Sequence, residues 1–185
     1  MKSVWLILLI GVLGYTGEIH SQQIKAQATK VKDCAQVSNT HPGIGHAYTG
    51  LVRNEDYDFT AHLEAGLTGW SGVAETAPFH GFVIFLDSTE QSCILFEVHL
   101  RVDESDGQIH SPRAKDLRLG KAEAWQTTNI GVIEGIQVSN IRTAFSFKQA
   151  TQIDDGVVLL ITPNSKVREL RRIYDGFLKS IVFGH

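Results

Sequence analysis

The chain has 185 residues, with 17 basic and 20 acidic side chains, a net charge of −3 and 43% hydrophobic residues. This charge balance argues against a nucleic-acid-binding protein, because such proteins usually carry a clear basic excess. The length suits one domain, and the apolar content is sufficient for a hydrophobic core. We therefore expect one globular domain that does not bind nucleic acid.

The first 21 residues have the three parts of a secretory signal peptide. Lys2 supplies a positive charge, residues 4–13 form an apolar run (VWLILLIGVL), and small and polar residues follow as far as Ser21. The apolar run is shorter than the roughly twenty residues that a membrane-spanning helix needs. We therefore predict cleavage near Ser21, a secreted or periplasmic location, and no membrane span in the remaining chain.

Two cysteines, Cys34 and Cys93, remain after the predicted cleavage. Because export leads to an oxidising compartment, an even pair of cysteines predicts a disulfide bond between them. The alternative is two unpaired thiols. No CxxC pair or Cys/His cluster has the spacing of a zinc site, and we predict neither a metal nor another cofactor.

Residues 22–45 are polar and are predicted to form an N-terminal tether or a short helix. Pro42, Gly43 and Gly45 end this segment, because proline and glycine interrupt regular structure. The single globular α+β domain is therefore predicted to span residues 46–185.

Strand signals dominate the first half of this domain. The segments 47–53 and 57–63 predict a hairpin, since apolar and polar residues alternate along the second segment. The segments 79–86 (FHGFVIFL) and 93–102 (CILFEVHLRV) predict a second antiparallel hairpin around a polar turn. The facing pairs in this second hairpin are predicted to be Phe82–Phe96, Ile84–Ile94, Phe85–Cys93 and Val83–Leu95.

Further strands are predicted at residues 122–128, 132–138, 141–147 and 157–161, and a short helix at residues 111–120. The last of these strands reads VVLLI. Five consecutive apolar residues are typical of a central strand that is covered on both faces.

The C-terminal segment predicts the longest helix. Thr162 is the expected N-cap, and Pro163 is expected in the first turn. Apolar residues then recur at spacings of three and four, at Val167, Leu170, Ile173, Phe177, Leu178 and Ile181. With the strands, this helix predicts an α+β fold, an α/β/α sandwich with a mostly antiparallel sheet of about seven strands.

The segment 52–59 (VRNEDYDF), followed by LEAGL at 63–67 and by Trp70, resembles the opening hairpin of the Mog1/PsbP-like superfamily. Asp58 stands where that superfamily usually has glycine, and Leu63-Glu64 stands where proline is common. The resemblance implies an α/β/α sandwich that closes with a long helix. It also implies a binding or accessory role more than an enzymatic one.

The loop at residues 66–79 is the predicted recognition site. It presents Trp70 and Phe79 among glycines, and exposed aromatic side chains often anchor protein interfaces. His80 follows at the mouth of a predicted central strand, where it is expected to line a pocket or to bond the loop backbone. We therefore predict Trp70, Phe79 and His80 as partner-binding residues. The alternative for Trp70 is that its ring plugs the edge of the core.

Other candidate chemistry has simpler explanations. One face of a predicted strand carries Glu97, His99 and Arg101. The two interpretations of this row are an acid–base group and a surface ion-pair ladder. The segment 69–73 (GWSGV) resembles a nucleophile elbow but lacks the second glycine of that motif.

These features together predict an exported, non-catalytic protein that binds another extracytoplasmic protein, as an inhibitor, an immunity-type factor or an assembly accessory factor. The first alternative is a small exported hydrolase that uses His80 with a distant carboxylate. The second is a structural component of the envelope, which would have neither a pocket nor a partner in solution.

Overall fold

The computed structural model describes residues 32–37, 40–71, 81–101 and 114–184. The predicted signal peptide, 1–21, lies outside them, and the predicted boundaries of the tether and of the domain stay predictions. Two α-helices are described, α1 (Cys34–Val37) and α2 (Val167–Ser180), the second preceded by a 3₁₀ turn at Asn164–Lys166. The strands are β1 His46–Tyr48, β2 Leu51–Asn54, β3 Phe59–His62, β4 Gly69–Ser71, β5 Gly81–Phe85, β6 Cys93–Leu100, β7 Lys115–Leu119, β8 Ala122–Ile133, β9 Ile136–Lys148, β10 Ile153–Pro163 and β11 Val182–Phe183.

The strands form two antiparallel sheets. The main sheet has eight strands in the order β1-β4-β5-β6-β10-β9-β8-β7, and a smaller sheet has the order β11-β3-β2. The α+β class, the antiparallel sheet and the long C-terminal helix are confirmed, with eight strands in the main sheet where about seven were predicted. The predicted central strand is β10, which lies between β6 and β9.

Both predicted hairpins of the first half are present, but the first is shorter than predicted, because residues 46–48 form β1 and pair with β4 in the main sheet. β2 pairs with β3, so that Asn54 lies opposite Phe59. β5 pairs with β6 in the predicted register, and all four predicted facing pairs are confirmed: Phe82–Phe96, Val83–Leu95, Ile84–Ile94 and Phe85–Cys93. The register follows from apolar side chains on both faces of both strands, since a shift by one residue would exchange the two faces.

One face of the main sheet, which we call the helix face, is covered by α2 and the smaller sheet. Phe96 lies at its centre, and its ring contacts Phe59 of the smaller sheet and Phe177 of α2 at centroid distances of 5.1 and 6.0 Å. Gly156 allows this packing, because a Cβ there would lie 2.2 Å from Phe145. The main hydrophobic core therefore lies between the sheet and α2.

A chain of buried hydrogen bonds also attaches α2 to this face. The Tyr174 hydroxyl donates to the carbonyl oxygen of Val158 at 3.0 Å and lies 2.7 Å from the Thr143 hydroxyl. Gln126 donates to Thr143 at 2.9 Å, and Arg171 donates to Gln126 at 2.6 Å. Burial raises the pKa of Tyr174 well above its usual value, so the phenol stays protonated and donates. The predicted apolar stripe omitted this tyrosine.

The opposite face carries a smaller apolar cluster around the disulfide bond, and we call it the disulfide face. Cys34 of α1 is bonded to Cys93 of β6, with a Cα–Cα distance of 6.0 Å, which confirms the predicted disulfide. Val83, Leu95 and Ile161 are buried beside it. The backbone of Lys32 exchanges two hydrogen bonds with the Asn140 side chain, at 2.8 and 3.0 Å. Residues 32–37 are thereby fixed to this face.

Three local predictions were wrong. Residues 115–119 form β7, where part of a helix was predicted. Residues 122–148 form two long strands where three were predicted, and their turn at Glu134–Gly135 falls inside one of the predicted strands. Thr162 and Pro163 belong to β10, so α2 begins later than predicted and its N-cap residue, Lys166, makes no capping side-chain bond.

Candidate partner-binding site

The hairpin of β8 and β9 extends past its described neighbours at one end of the main sheet. β7 pairs with β8 only as far as Gln126, and β10 pairs with β9 only from Val138 onward. The turn at Glu134 and Gly135 has φ values of 51° and 82°, and two positive φ angles match the twist of a two-residue hairpin. We call residues 127–138 the arm.

The arm exposes large apolar side chains on both of its faces. Ile130 and Val132 are 60% and 66% exposed, and Ile136 on the other face is 45% exposed. Burial of such a side chain contributes about 1.5–3 kcal/mol, which the arm forgoes in the isolated chain. Clustered exposure of this kind marks an interaction site more often than scattered single residues do.

A groove with a volume of about 300 Å³ lies between the arm, α1 and the turn that joins β5 to β6. Its apolar lining consists of Cys34, Ala35, Ile133, Ile136, Val138, Ile161 and Pro163. Its acidic lining consists of Asp33, Glu90 and Glu134. An apolar cleft with a few polar groups at its rim is the usual form of a binding site.

The wall of the groove at Glu90 is held by a network around Asp87. Asp87 accepts hydrogen bonds from the Thr89 hydroxyl at 2.9 Å, the Gln91 backbone N–H at 3.1 Å and the Lys166 ammonium at 3.1 Å. Partial burial alone would raise the pKa of Asp87, but its hydrogen-bond donors, including Ser92, outweigh it and lower the pKa to about 2. Asp87 is therefore ionised at neutral pH and fixes the turn that carries Glu90.

Glu90 itself lies 2.6 Å from Nδ1 of His41, with both side chains more than one-third exposed. This contact joins the segment before β1 to the groove wall. The sequence shows no carboxylate near His41, so this pairing could be seen only in the folded chain. An exposed pair of this kind adds little stability, but it positions the carboxylate at the groove.

Trp70, the one predicted recognition residue within the described ranges, lies outside the groove. Trp70 is in β4, opposite Val83 of β5 and Ala47 of β1, and it is half-buried. Residues 69–71 are therefore a strand of the main sheet, where a continuous loop was predicted. Phe79 and His80 lie outside the described residues, so their role in binding stays a prediction.

The row of Glu97, His99 and Arg101 ends in a buried ion pair. The Arg101 guanidinium donates to both oxygens of Asp155, at 2.7 and 2.6 Å, and to the Ser146 hydroxyl at 3.1 Å. Asp155 is fully buried, and this bond raises the pKa of Arg101 further. The bidentate bond joins the end of β6 to β10, and the bond to Ser146 adds β9.

The end of the sheet away from the groove is closed by polar contacts. The buried carboxylate of Asp154 accepts hydrogen bonds from Gln149 at 2.5 Å and from Gln152 at 3.0 Å. Both amides also donate to the carbonyl oxygen of Asp56, at 3.2 and 3.0 Å. Burial raises the pKa of Asp154 despite these bonds. These contacts join the turn between β2 and β3 to the hairpin of β9 and β10.

Within the described ranges, no helix has both the length and the apolar content that a membrane span requires. The same ranges contain no group of three or more His, Cys, Asp or Glu side chains placed to hold a metal ion. The disulfide bond is compatible with an exported protein.

Sequence reasoning missed both the arm and the groove. The groove lining comes from three separate parts of the chain, around residues 33–35, 90–91 and 133–163. The arm was visible in the sequence only as a stretch of strand-forming residues around Gly131. That stretch was interpreted as two ordinary strands.

No protein-family model matches the chain, and no curated protein matches its sequence. The crystal structure of LpqN, described as involved in cell envelope biogenesis of Mycobacterium tuberculosis, is 12% identical with a TM-score of 0.53, over 75% of this chain and 91% of its own. A crystal structure of a protein from Bacteroides thetaiotaomicron VPI-5482 is 6% identical with a TM-score of 0.47, over 76% of this chain and 49% of its own. The solution structure of cyanobacterial PsbP (CyanoP) from Synechocystis sp. PCC 6803 is 11% identical with a TM-score of 0.39, over 80% of this chain and 98% of its own.

At these identities the likeness to LpqN concerns the fold alone. It agrees with the α+β fold that was predicted from the sequence. Because one fold serves many functions, binding has to be argued from the site itself.

Proposed function

We propose that this protein is an exported, non-catalytic accessory factor that binds another extracytoplasmic protein through the groove beside the arm. The predicted signal peptide at residues 1–21 and the disulfide bond between Cys34 and Cys93 support export into an oxidising compartment. The role in cell envelope biogenesis described for LpqN supports an accessory function in the same kind of compartment.

The observation that carries this proposal is the groove with its exposed apolar wall. Ile136 lines the groove and remains 45% exposed, and Val138 and Ile161 provide a buried apolar floor. A partner that covers Ile136 would gain the hydrophobic free energy that the isolated chain leaves unused.

The acidic lining defines the chemistry of the partner. Asp33, Glu90 and Glu134 place carboxylates around an apolar floor. The complementary ligand is a protein segment that inserts an apolar side chain and carries lysine or arginine next to it. Binding through this groove should weaken as salt concentration rises, because exposed charge pairs are screened.

The loop that was predicted from sequence remains a second proposed contact surface. Trp70 is half-buried on the disulfide face, and β5 begins at Gly81, at the end of the sheet away from Cys93. Phe79 and His80 precede that strand in sequence. Gly81, which follows His80 in sequence, lies opposite Glu97, toward the end of β6 away from Cys93 and the groove.

The test compares capture of envelope or secreted proteins by the exported wild-type protein and by two variants. Ile136→Lys places a charge in the groove, and Leu51→Lys is the matched control, because Leu51 is 56% exposed on β2 and does not line the groove. The same partner should be captured by the wild type and the control and lost with Ile136→Lys. Equal capture by all three proteins would remove the groove from the proposal and leave the loop.

The hydrolase alternative stays a prediction, because His80 lies outside the described residues. Its test is a pH–rate profile with generic ester or peptide substrates for the wild type and for His80→Ala. A bell-shaped profile that disappears in the variant would replace the binding proposal with an enzymatic one.

A further inference from the structure

The tip of the arm is a projection with a fixed shape. β10 pairs with β9 no farther than Val138, so residues 136–137 extend past β10 by about 7 Å, at about 3.4 Å per residue. The Ser139 hydroxyl donates to the Asn164 side-chain oxygen at 2.8 Å, which fixes the base of the arm. β8 and β9 pair one to one along the whole arm. A projection that is ordered before binding loses little entropy when a partner covers it.

The face of the arm away from the groove exposes two large apolar side chains. Ile130 and Val132 are 60% and 66% exposed. The residues directly opposite them on β9, Ser139 and Gln137, share this face and are polar but uncharged. This face of the arm therefore offers apolar surface without charge.

The groove face of the same arm has a different chemistry. Ile136 is 45% exposed there and lines the groove. The described lining of the groove includes the carboxylates of Asp33, Glu90 and Glu134 and no lysine or arginine. The arm therefore separates an acidic apolar surface from an uncharged apolar one.

We propose that the arm inserts into a cleft of the partner protein, and that the two walls of this cleft cover the two faces of the arm. The inference rests on the proposed function, because one wall is the surface that enters the groove. Charge complementarity gives the walls different chemistry. The wall in the groove carries lysine or arginine beside an apolar side chain, and the wall against Ile130 and Val132 is apolar and uncharged.

Continuity between the two faces supports a single occupant. Ile136 lies opposite Ile133, and Val132 is the next residue along β8. A partner that covers Ile136 therefore ends about one residue, or about 3.4 Å along the strand, from the position of Val132. A protein wall that continues around the tip covers both side chains.

The charge at the tip favours a protein over a lipid surface. Glu134 lies in the turn at the end of the arm and is exposed. Insertion of the arm into a bilayer would carry this carboxylate into the apolar layer, which is costly without a partner charge. A protein cleft can supply a basic side chain to the same carboxylate.

The first experiment is photo-cross-linking of the full-length exported protein in its own compartment. A photoreactive phenylalanine analogue replaces Val132 or Ile136, one at a time, with Leu51 as the control position. Both arm positions should give a protein product of the same mass that is absent at position 51. Peptide mass spectrometry should locate the two cross-links in different segments of one protein, with lysine or arginine beside the cross-link from position 136.

The other outcomes separate this inference from the proposed function. A product from position 136 alone leaves the groove in place but overturns the cleft, as do different proteins from the two positions. A product of twice the chain mass shows a second copy and overturns the cleft. A lipid attached to the chain at position 132 overturns it in favour of a bilayer. No product at either position contradicts both the groove and the cleft.

Binding of the purified cross-linked partner then tests the chemistry of each wall. Val132→Lys and Val132→Glu should each weaken binding by about ten-fold or more, and to a similar extent, because the facing wall is apolar and uncharged. Ile136→Lys should weaken binding about five-fold more than Ile136→Glu, because the facing wall is basic. Leu51→Lys should bind as wild type does. Val132 variants with wild-type affinity overturn the cleft, and tighter binding by Ile136→Lys than by Ile136→Glu contradicts its basic wall.

Discussion

The helix face and the arm use the same two strands in opposite ways. Near β7, the side chains of β8 and β9 on the helix face are buried, as at Ala124 and Phe145. Farther along the same strands, Ile130 and Val132 are more than half exposed. Both regions are rich in strand-forming apolar residues. They differ because α2 and the smaller sheet cover the helix face and do not cover Ile130 and Val132 of the arm. Apolar sequence therefore identifies a strand, but only the packing shows whether that strand serves folding or binding.

The largest effect should come from the covered face. Phe96→Ala removes a fully buried ring that contacts Phe59, Phe82, Phe145 and Phe177. We expect the free energy of unfolding to fall by about 4 kcal/mol, because the cavity is enclosed by rigid rings. Urea denaturation followed by far-UV circular dichroism measures the loss. A loss below about 1 kcal/mol would mean that the aromatic cluster is not the centre of the core.

Removal of the disulfide should have the next largest effect, and it acts on both regions. The bond closes a loop with a sequence separation of 59 residues. The double variant Cys34→Ala, Cys93→Ala should lose about 3 kcal/mol of stability, chiefly through the entropy of the unfolded chain. Because Cys34 lines the groove, the variant should also bind the partner more weakly. Denaturation and partner capture on the same sample test both effects. Unchanged stability would contradict the role assigned to the bond.

A smaller, pH-dependent effect should come from Asp87. Its pKa falls from the usual 3.8 to about 2 in the folded chain. A lowered pKa means that the ionised form stabilises the fold above pH 4, and that this contribution is lost as the pH falls toward 2.

Asp87→Asn should therefore lower stability by about 1 kcal/mol at pH 7 and have less effect near pH 2, with partial exposure keeping the effect small. Thermal unfolding at several pH values measures the difference between wild type and variant. A difference that stays constant from pH 7 to pH 2 would contradict the role of the ionised carboxylate.

The smallest effect on stability should come from the arm. Ile130→Ala and Ile136→Ala remove exposed methyl groups, so each should change the free energy of unfolding by no more than about 0.5 kcal/mol. Ile136→Ala should nevertheless weaken the partner complex, because Ile136 lines the groove. Stability losses comparable to that of Phe96→Ala would show that the arm belongs to the folding core. The distinction between the helix face and the arm would then be wrong.

The sequence predicted the central part of the fold well. The register of β5 and β6 followed from apolar residues on both faces, and the buried run at 157–161 identified the central strand. These are local patterns that burial enforces. The predicted N-cap at Thr162 failed, because the strand pairing of β10 continues through Pro163.

The arm and the groove were harder to predict for physical reasons. The turn uses Glu134 at a positive φ, which is uncommon for a residue other than glycine, asparagine or aspartate, so it gave no turn signal. The groove combines Asp33, Glu90 and Ile161, which only the tertiary fold brings together. Exposure is also invisible in a sequence, since Ile130 and Ile141 belong to the same pattern and differ only in their cover.

The most direct measurement is photo-cross-linking in the compartment to which the protein is exported. A photoreactive phenylalanine analogue would replace Ile136 in the groove, Phe79 in the predicted loop, or Leu51 as the control. We predict a discrete cross-linked partner from position 136 that is absent at position 51. The same products at positions 136 and 51, or a discrete partner from position 79 alone, would contradict the assignment of partner binding to the groove.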